Sequence, residues 1–120
     1  MGFRLTPAFL PKRLFFVTVD EGGGYWDSGT FIPLDFFGDG PRIPLIVVSP
    51  YSTGGKVVHS YNDHASVVKF IEKNWGLSPL TSRSRDNLQN PVMDPNNRYV
   101  PKNMPAIGDL MDMFDFGNFN

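Results

Sequence analysis

The sequence contains no cysteine. Disulfide bonds and thiolate metal sites are therefore excluded, although a chain without cysteine is compatible with any compartment. No apolar run approaches the length that crosses a bilayer, so we expect no transmembrane segment. Residues 1–13 have neither a sustained apolar stretch nor a small-residue cleavage site, so we expect no signal peptide within them.

An excess of either charge is also missing. The formal net charge is −1, from 11 Lys and Arg against 12 Asp and Glu. A nucleic-acid-binding domain or an anionic-membrane-binding domain is typically strongly basic. We therefore expect no nucleic-acid partner.

The residues that are present suit one globular domain with long loops. The 120 residues are 41% hydrophobic and 19% charged, which is sufficient for a core and too apolar for a disordered chain. Eleven Phe residues favour packing on a sheet over a helical bundle. Eleven Pro and twelve Gly residues lie mainly between the periodic segments, so regular elements are few.

The most informative stretch is an apolar strand that ends in carboxylates. Residues 14–19 are apolar or β-branched throughout, which predicts a strand buried on both faces of a parallel sheet. Asp20, Glu21 and three glycines follow it. Ligands of open α/β sheets bind outside the carboxyl ends of strands, and paired carboxylates suit a hard cation. The alternative is an ordinary acidic turn.

Four further segments complete the predicted order of elements. The loop of residues 22–40 is rich in aromatic residues, and Gly22, Gly23, Tyr25 and Trp26 would wall a substrate pocket or cover a sheet edge. A second apolar run predicts another interior parallel strand over 45–50. Helical spacing predicts a helix over 63–75, ended by Gly76. A short amphipathic helix is predicted over 106–115. Two such strands cannot bury both faces alone, which implies missing neighbours.

Both histidines lie near the start of the predicted helix. Asp63 or Asn62 is a suitable helix cap, with His64 in the first turn. Together with His59, Asp63 and His64 also have the composition of a metal site. For His64 the capping interpretation is favoured, whereas for His59 both interpretations stay open.

Four of these segments, in the same order, resemble one family. They are FVTVDEGGGY (16–25), GPRIPLIVVS (40–49), DHASVVKFIEKNWG (63–76) and DLMDMFDF (109–116). Together they are similar to the carboxyl-terminal portion of the bacterial phosphoesterase family, which includes phospholipases C and acid phosphatases within the alkaline phosphatase superfamily. The motif GYWDSG (24–29) is closer to the acid phosphatase branch.

The resemblance implies an α/β fold: part of an alkaline-phosphatase-like α/β/α sandwich with a mostly parallel sheet. Residues 1–13 would be a lead-in, 14–116 the carboxyl-terminal part of one phosphoesterase domain, and 117–120 a tail. The resemblance also implies one divalent metal ion of unknown identity, a phosphate ester substrate, and a periplasmic or secreted location in bacteria.

Carried over by position, Asp20 and Glu21 resemble the family's metal-binding acids, and His59 resembles a histidine with a catalytic or supporting role. Asp63 and His64 match the motif that opens the following helix and are interpreted as structural. Ser28 stands where many phospholipase-like members have histidine, so this chain would lack that imidazole. The family's Ser or Thr nucleophile has no counterpart here.

We therefore expect a metal-dependent phosphoesterase of the acid phosphatase or phospholipase C type, present as an incomplete fragment that is inactive alone. A missing amino-terminal region or a partner chain would supply the nucleophile. Two alternatives remain: a non-enzymatic binding or accessory module that uses the aromatic loop 25–37, and a decayed gene product without activity.

Overall fold

The computed structural model describes residues 13–25, 27, 38–97 and 100–117. The regular elements within them are strand β1 (Phe15–Thr18), strand β2 (Leu45–Val48), helix α1 (Ala65–Trp75) and 3₁₀ turns at Arg85–Asn87 and Met111–Met113. The chain divides into two compact units. One comprises the residues up to Gly55 and from Met113 onward, and the other comprises Lys56–Asp112.

The two strands of the first unit form an antiparallel pair in which Phe15 lies opposite Val48 and Val17 lies opposite Ile46. Apart from Leu45, every residue of the two strands is aromatic or β-branched, and such residues favour extended backbone. The predicted strands are thus confirmed in position and pair antiparallel with each other, so their place in a mostly parallel sheet stays a prediction. The observed mixture of helix and strand is compatible with the α/β class.

Only one face of this strand pair is covered within the described part of the chain. Phe16 packs edge-on against Phe114, with ring centroids 6.3 Å apart. On the opposite face, Val17 and Ile46 are 53% and 56% exposed. The expectation that the first strand is buried on both faces is therefore wrong for these residues, because a two-stranded sheet has a second covered face only when another layer packs on it.

An aromatic cluster joins β1 to the end of the first unit. The Phe114 ring stacks on Phe116 at 5.4 Å, and Tyr51 lies 5.6 Å from Phe116. Backbone hydrogen bonds fix this segment: the Asp115 N–H donates to the Tyr51 carbonyl at 2.8 Å. Ser52 and Phe114 form an isolated antiparallel bridge.

Helix α1 organises the second unit. The predicted helix is confirmed, and Gly76 ends it in the left-handed conformation at φ 65°. The Asp63 carboxylate accepts a hydrogen bond from the Ala65 N–H at 2.8 Å, and the Ser66 hydroxyl accepts one from the Asp63 N–H at 3.1 Å. This reciprocal arrangement satisfies amides that have no partner within the helix, which confirms the capping role predicted for Asp63.

The buried face of α1 carries Phe70, and the core of this unit also contains Ala106, Ile107 and Leu110. Lys69 extends from the helix and donates to the carbonyls of Leu88 and Ile107, at 2.6 and 2.8 Å. Burial lowers the pKa of Lys69 despite nearby carboxylates, Asp109 first among them. The lysine thus joins two loop segments to the helix.

A pair of buried carboxyl groups makes a second connection to α1. Glu72 is 7% exposed and Asp86 is 4% exposed. Burial, followed by the neighbouring Asp86, raises the pKa of Glu72. Burial alone would raise the pKa of Asp86, but the hydrogen bonds that the carboxylate accepts have a larger effect and lower its pKa. The largest of these contributions comes from the Leu80 N–H, which donates to Asp86 Oδ2 at 2.8 Å. The pKa values of the two groups therefore move apart, that of Glu72 upward and that of Asp86 downward.

The helix predicted over 106–115 is wrong apart from the single turn at Met111–Met113. The Ile107 and Gly108 N–H groups donate to distant carbonyls, those of Gln89 at 3.1 Å and Tyr61 at 2.9 Å. Leu110 is fully buried with φ 60°, which a right-handed helix cannot accommodate. None of the helices in the described ranges has the length and hydrophobicity needed to cross a bilayer.

Candidate functional site

The acidic pair predicted as metal ligands lies directly beyond β1. Asp20 and Glu21 follow Val19, and both side chains are exposed. Asp20 Oδ1 accepts a hydrogen bond from the Glu21 N–H at 3.1 Å, which orients the first carboxyl group. The sequence interpretation of two neighbouring, accessible carboxylates at a strand end therefore matches the described geometry.

The glycines after this pair form a tight turn. The Tyr25 N–H donates to the Gly22 carbonyl at 3.2 Å. The two central residues, Gly23 and Gly24, both have positive φ, at 64° and 73°. This combination is typical of a type I′ turn, which disfavours other L-residues at both positions. The glycines thus reverse the chain immediately after the carboxylates.

The predicted pocket residues are only partly brought together. Gly22 and Gly23 lie in the turn, while the Tyr25 side chain is 82% exposed and therefore encloses little. Trp26 and most of the aromatic loop 25–37 lie outside the described residues. His59 belongs to the second unit, where its side chain is exposed, and no described contact links it to a carboxylate.

The carboxylates suit a hard cation by chemistry but supply only part of a site. Among the residues that the structure describes, no three His, Asp or Glu side chains are grouped so that they could hold a metal ion. Divalent magnesium and calcium use six or more oxygen ligands, often including water. Asp20 and Glu21 therefore fit a metal as two of its ligands, and the remaining ligands would come from solvent, substrate or residues elsewhere.

Sequence reasoning missed the ion pair that stands beside this turn. From residue type and position alone, Asp27 is a turn former or a solvated residue, and Arg42 at the entry to a strand is a solvated or salt-bridged surface residue. In the structure the Arg42 guanidinium donates to Asp27 through two nitrogens, with Nε–Oδ2 at 2.7 Å and Nη2–Oδ1 at 2.9 Å. Opposite charges 15 residues apart were the available signal, but spacing across a loop does not identify partners.

Asp63 and His64 do not extend this site. Asp63 caps α1 and forms an ion pair with Arg85, whose Nε lies 2.7 Å from Asp63 Oδ2. A carboxylate that holds a helix end and a guanidinium is engaged structurally. The structural interpretation of this motif is therefore the one that the contacts support.

Comparison with known proteins gives a consistent result. The profile of the Phosphoesterase family matches residues 3–78. A non-hemolytic phospholipase C of Pseudomonas aeruginosa is 37% identical over 84 residues, covering 70% of this chain and 10% of the relative. A hemolytic phospholipase C of the same species is 27% identical over 92% of this chain and 16% of the relative. A non-hemolytic phospholipase C of Burkholderia pseudomallei is 30% identical over 93% of this chain and 18% of the relative.

The chain thus spans between about a tenth and a fifth of the length of these three relatives. No solved structure matches it.

Proposed function

Because the chain belongs to the Phosphoesterase family, we propose that it is a segment of a hydrolase that cleaves phosphate esters, and that Asp20 and Glu21 bind its divalent cation. The observation that carries the proposal is the position of both carboxylates, exposed and adjacent at the end of β1. The glycine turn that follows keeps bulky side chains away from the pair.

The substrate class follows from the relatives. The three relatives described above are named phospholipases C, and a phospholipid is a phosphate ester. The motif GYWDSG favours an acid phosphatase activity instead. The two proposals share the phosphoryl group as the element that is recognised, and hydrolysis of a phospholipid compared with a soluble monoester distinguishes them.

The residues of this chain have a limited task in such a reaction. A bound divalent cation would neutralise charge on the phosphoryl oxygens and lower the pKa of a nucleophile. Asp20 and Glu21 would hold that cation at the strand end and compensate its charge. Phosphoryl transfer depends mainly on such positioning and charge neutralisation. A site without its nucleophile should therefore give almost no rate.

We further propose that the nucleophile and the other strands of the sheet are contributed by residues outside this sequence. The exposed apolar face of β1 and β2 supports this, because Val17 and Ile46 would be covered by a helical layer in an α/β/α sandwich. The two strands would then form part of a larger, mostly parallel sheet. His59 would assist the reaction only in that larger assembly.

Cation binding by the 120-residue chain tests the acidic pair. Titration with Mn²⁺, followed by electron paramagnetic resonance, should give a dissociation constant on the order of 10⁻³ M, as for weak extracellular sites. Asp20→Asn and Glu21→Gln should each weaken binding by about tenfold or more, because ligand charge sets affinity. Asp94→Asn is the matched control, since an asparagine oxygen can still accept the Asn96 N–H that Asp94 Oδ1 accepts at 2.9 Å.

Equal affinity in the wild type, Asp20→Asn and Glu21→Gln would overturn the metal assignment. Hydrolysis of p-nitrophenyl phosphate tests the nucleophile assignment separately. The chain with Mn²⁺ should not exceed the rate of buffer with Mn²⁺. Metal-dependent turnover that Asp20→Ala abolishes would show that the nucleophile lies within this chain.

A further inference from the structure

The segment that carries the acidic pair is fastened to the residues before β2. The Thr18 hydroxyl donates to the Pro44 carbonyl at 2.8 Å. Gly22 lies against the Pro41 ring so closely that a Cβ at this position would stand 2.6 Å from Pro41 Cγ. Asp20 and Glu21 therefore lie between Thr18 and Gly22, both of which contact the segment that leads into β2.

The ion pair of Asp27 and Arg42 is a third contact between this segment and the residues before β2. Besides the two guanidinium contacts, the Arg42 backbone N–H donates to Asp27 Oδ2 at 3.0 Å. Three hydrogen bonds thus join one carboxylate to one residue. The Asp27 side chain is 20% exposed and the Arg42 side chain is 54% exposed, so the number of contacts rather than burial distinguishes this pair from most surface ion pairs. Two parallel N–H···O contacts also fix the relative orientation of the two groups.

We propose that Asp27 and Arg42 are a positioning pair that holds the turn with Asp20 and Glu21 in one conformation. Thr18 fixes the near end of this segment and Asp27 fixes its far end, beyond the glycine turn. A carboxylate pair on a mobile loop loses conformational entropy when it binds a cation. A pair held in place before binding avoids much of that loss. The effect on cation affinity rests on the proposed function, whereas the effect on the turn does not.

A direct role for Arg42 in binding a substrate phosphate is the competing interpretation. The geometry opposes it, because Nε and Nη2 both donate to Asp27. Those two nitrogens form one of the two edges with which a guanidinium can bind a phosphate through two nitrogens, and this edge is engaged by Asp27. An arginine that uses this edge on a carboxylate acts through the residues that it positions.

Amide hydrogen exchange of the full chain tests the conformational claim without a metal. The Glu21 and Tyr25 N–H groups report on the turn, since they donate to Asp20 Oδ1 and the Gly22 carbonyl. In Asp27→Asn their exchange should accelerate roughly three- to tenfold, the range expected for loss of one well-formed local contact. The Gly108 N–H, which donates to the Tyr61 carbonyl in the other unit, should be unchanged.

Arg42→Lys keeps the charge but loses the two-nitrogen contact, so it should give a smaller acceleration than Asp27→Asn. Asp94→Asn should give none. Unchanged exchange at Glu21 and Tyr25 in both Asp27→Asn and Arg42→Lys would overturn the proposal. Acceleration at the Gly108 N–H to the same extent would also overturn it, because the loss would then be general destabilisation.

Mn²⁺ affinity then tests the coupling to the acidic pair. Asp27→Asn should weaken binding roughly three- to tenfold. In the Asp20→Asn/Glu21→Gln background the same substitution should have no further effect on Mn²⁺ affinity, because both carboxylates that it positions are already removed. Equal loss in both backgrounds would overturn the positioning role. If the wild type binds no Mn²⁺, the proposed metal site fails, and the exchange result still decides whether Asp27 and Arg42 hold the turn.

Discussion

Gly108 offers a sharp test of the packing in the second unit. It is fully enclosed, and a Cβ added to it would stand 2.2 Å from Asn62 Oδ1 and 3.2 Å from Asn62 Cγ. Its N–H also donates to the Tyr61 carbonyl at 2.9 Å, so its backbone has little freedom to retreat. Its φ lies outside the left-handed region, so a methyl group there would act through contact alone.

The expected loss of stability in Gly108→Ala can be assembled from three terms. Forcing a methyl group into a closed contact costs about 1–3 kcal/mol. Displacing Asn62 would break its 2.8 Å bond from Nδ2 to the Ser60 carbonyl, at about 1 kcal/mol. Replacing glycine restricts the unfolded chain and returns about 0.4–1 kcal/mol. The free energy of unfolding should therefore fall by about 1–3.5 kcal/mol.

Urea unfolding, followed by the far-ultraviolet circular dichroism of α1, measures this change. Gly117→Ala is the matched control, since its Cβ would lie at an ordinary 3.5 Å from Asp115 Oδ1. Adding Asn62→Ala to Gly108→Ala should recover the steric part of the loss, because it removes the atoms that clash. Buried Asn62 Oδ1 has no hydrogen-bond partner among the described residues, so Asn62→Ala alone should cost mainly the bond from Nδ2 to the Ser60 carbonyl, about 1 kcal/mol. Equal midpoints for Gly108→Ala and Gly117→Ala would refute the reasoning.

Four further predictions concern the same unit, each measured by urea unfolding. Asp63→Ala should lose about 1–2 kcal/mol with the helix cap and the Arg85 contact, and Asp63→Ser should recover part of it; equal stability of the two variants would contradict the capping role. Leu110→Ala should lose about 2–4 kcal/mol, since Leu110 is fully buried, and a loss below about 1 kcal/mol would contradict this packing. Because the pKa of Glu72 is raised in the folded state, its contribution to the free energy of unfolding is complete below pH 4.5 and is lost as pH rises through the folded-state pKa. Glu72→Gln should therefore make the loss of stability over that pH range less steep. Because the pKa of Asp86 is lowered in the folded state, its contribution to the free energy of unfolding is complete above pH 3.8 and is lost as pH falls through the folded-state pKa. Asp86→Asn should therefore make the loss of stability at acidic pH less steep. If both variants showed the pH profile of the wild type, both pKa shifts would be refuted.

The regular elements were predictable where a local pattern and a local stop signal agreed. The apolar run 14–19 contains β1, and the run 45–50 contains β2. For α1, helical spacing agreed with a capping Asp63 and a terminal Gly76, and the observed helix begins at Ala65 and ends at Trp75. In each case the backbone pairs or turns within a few residues of the signal, so neighbouring sequence carries the information.

The failures arose where distant partners decide the backbone. Ile107 and Leu110 have amphipathic spacing, yet their segment is held by carbonyls of Gln89 and Tyr61 and by the Lys69 ammonium group. Such partners are invisible to a periodicity argument, and tertiary contacts routinely override weak helical propensity. The same limit applies to strand burial. An apolar run predicts a buried strand, but burial needs a second layer, which the described residues do not provide for Val17.

In the candidate site, too, residue types were predictable from the sequence, whereas the partners of those residues were not. Asp20 and Glu21 were identifiable because their chemistry depends on type and on position at a strand end. Asp27 and Arg42 were not, because a charged residue in a loop is usually solvated, and only the three-dimensional approach of the loop ends makes these two a pair. Two carboxylates in a mobile turn and two in a fastened turn have the same sequence signature but different affinities for a cation. The proposed binding of a metal by this segment would therefore depend on the ion pair that closes the loop as well as on the acids that would contact the ion.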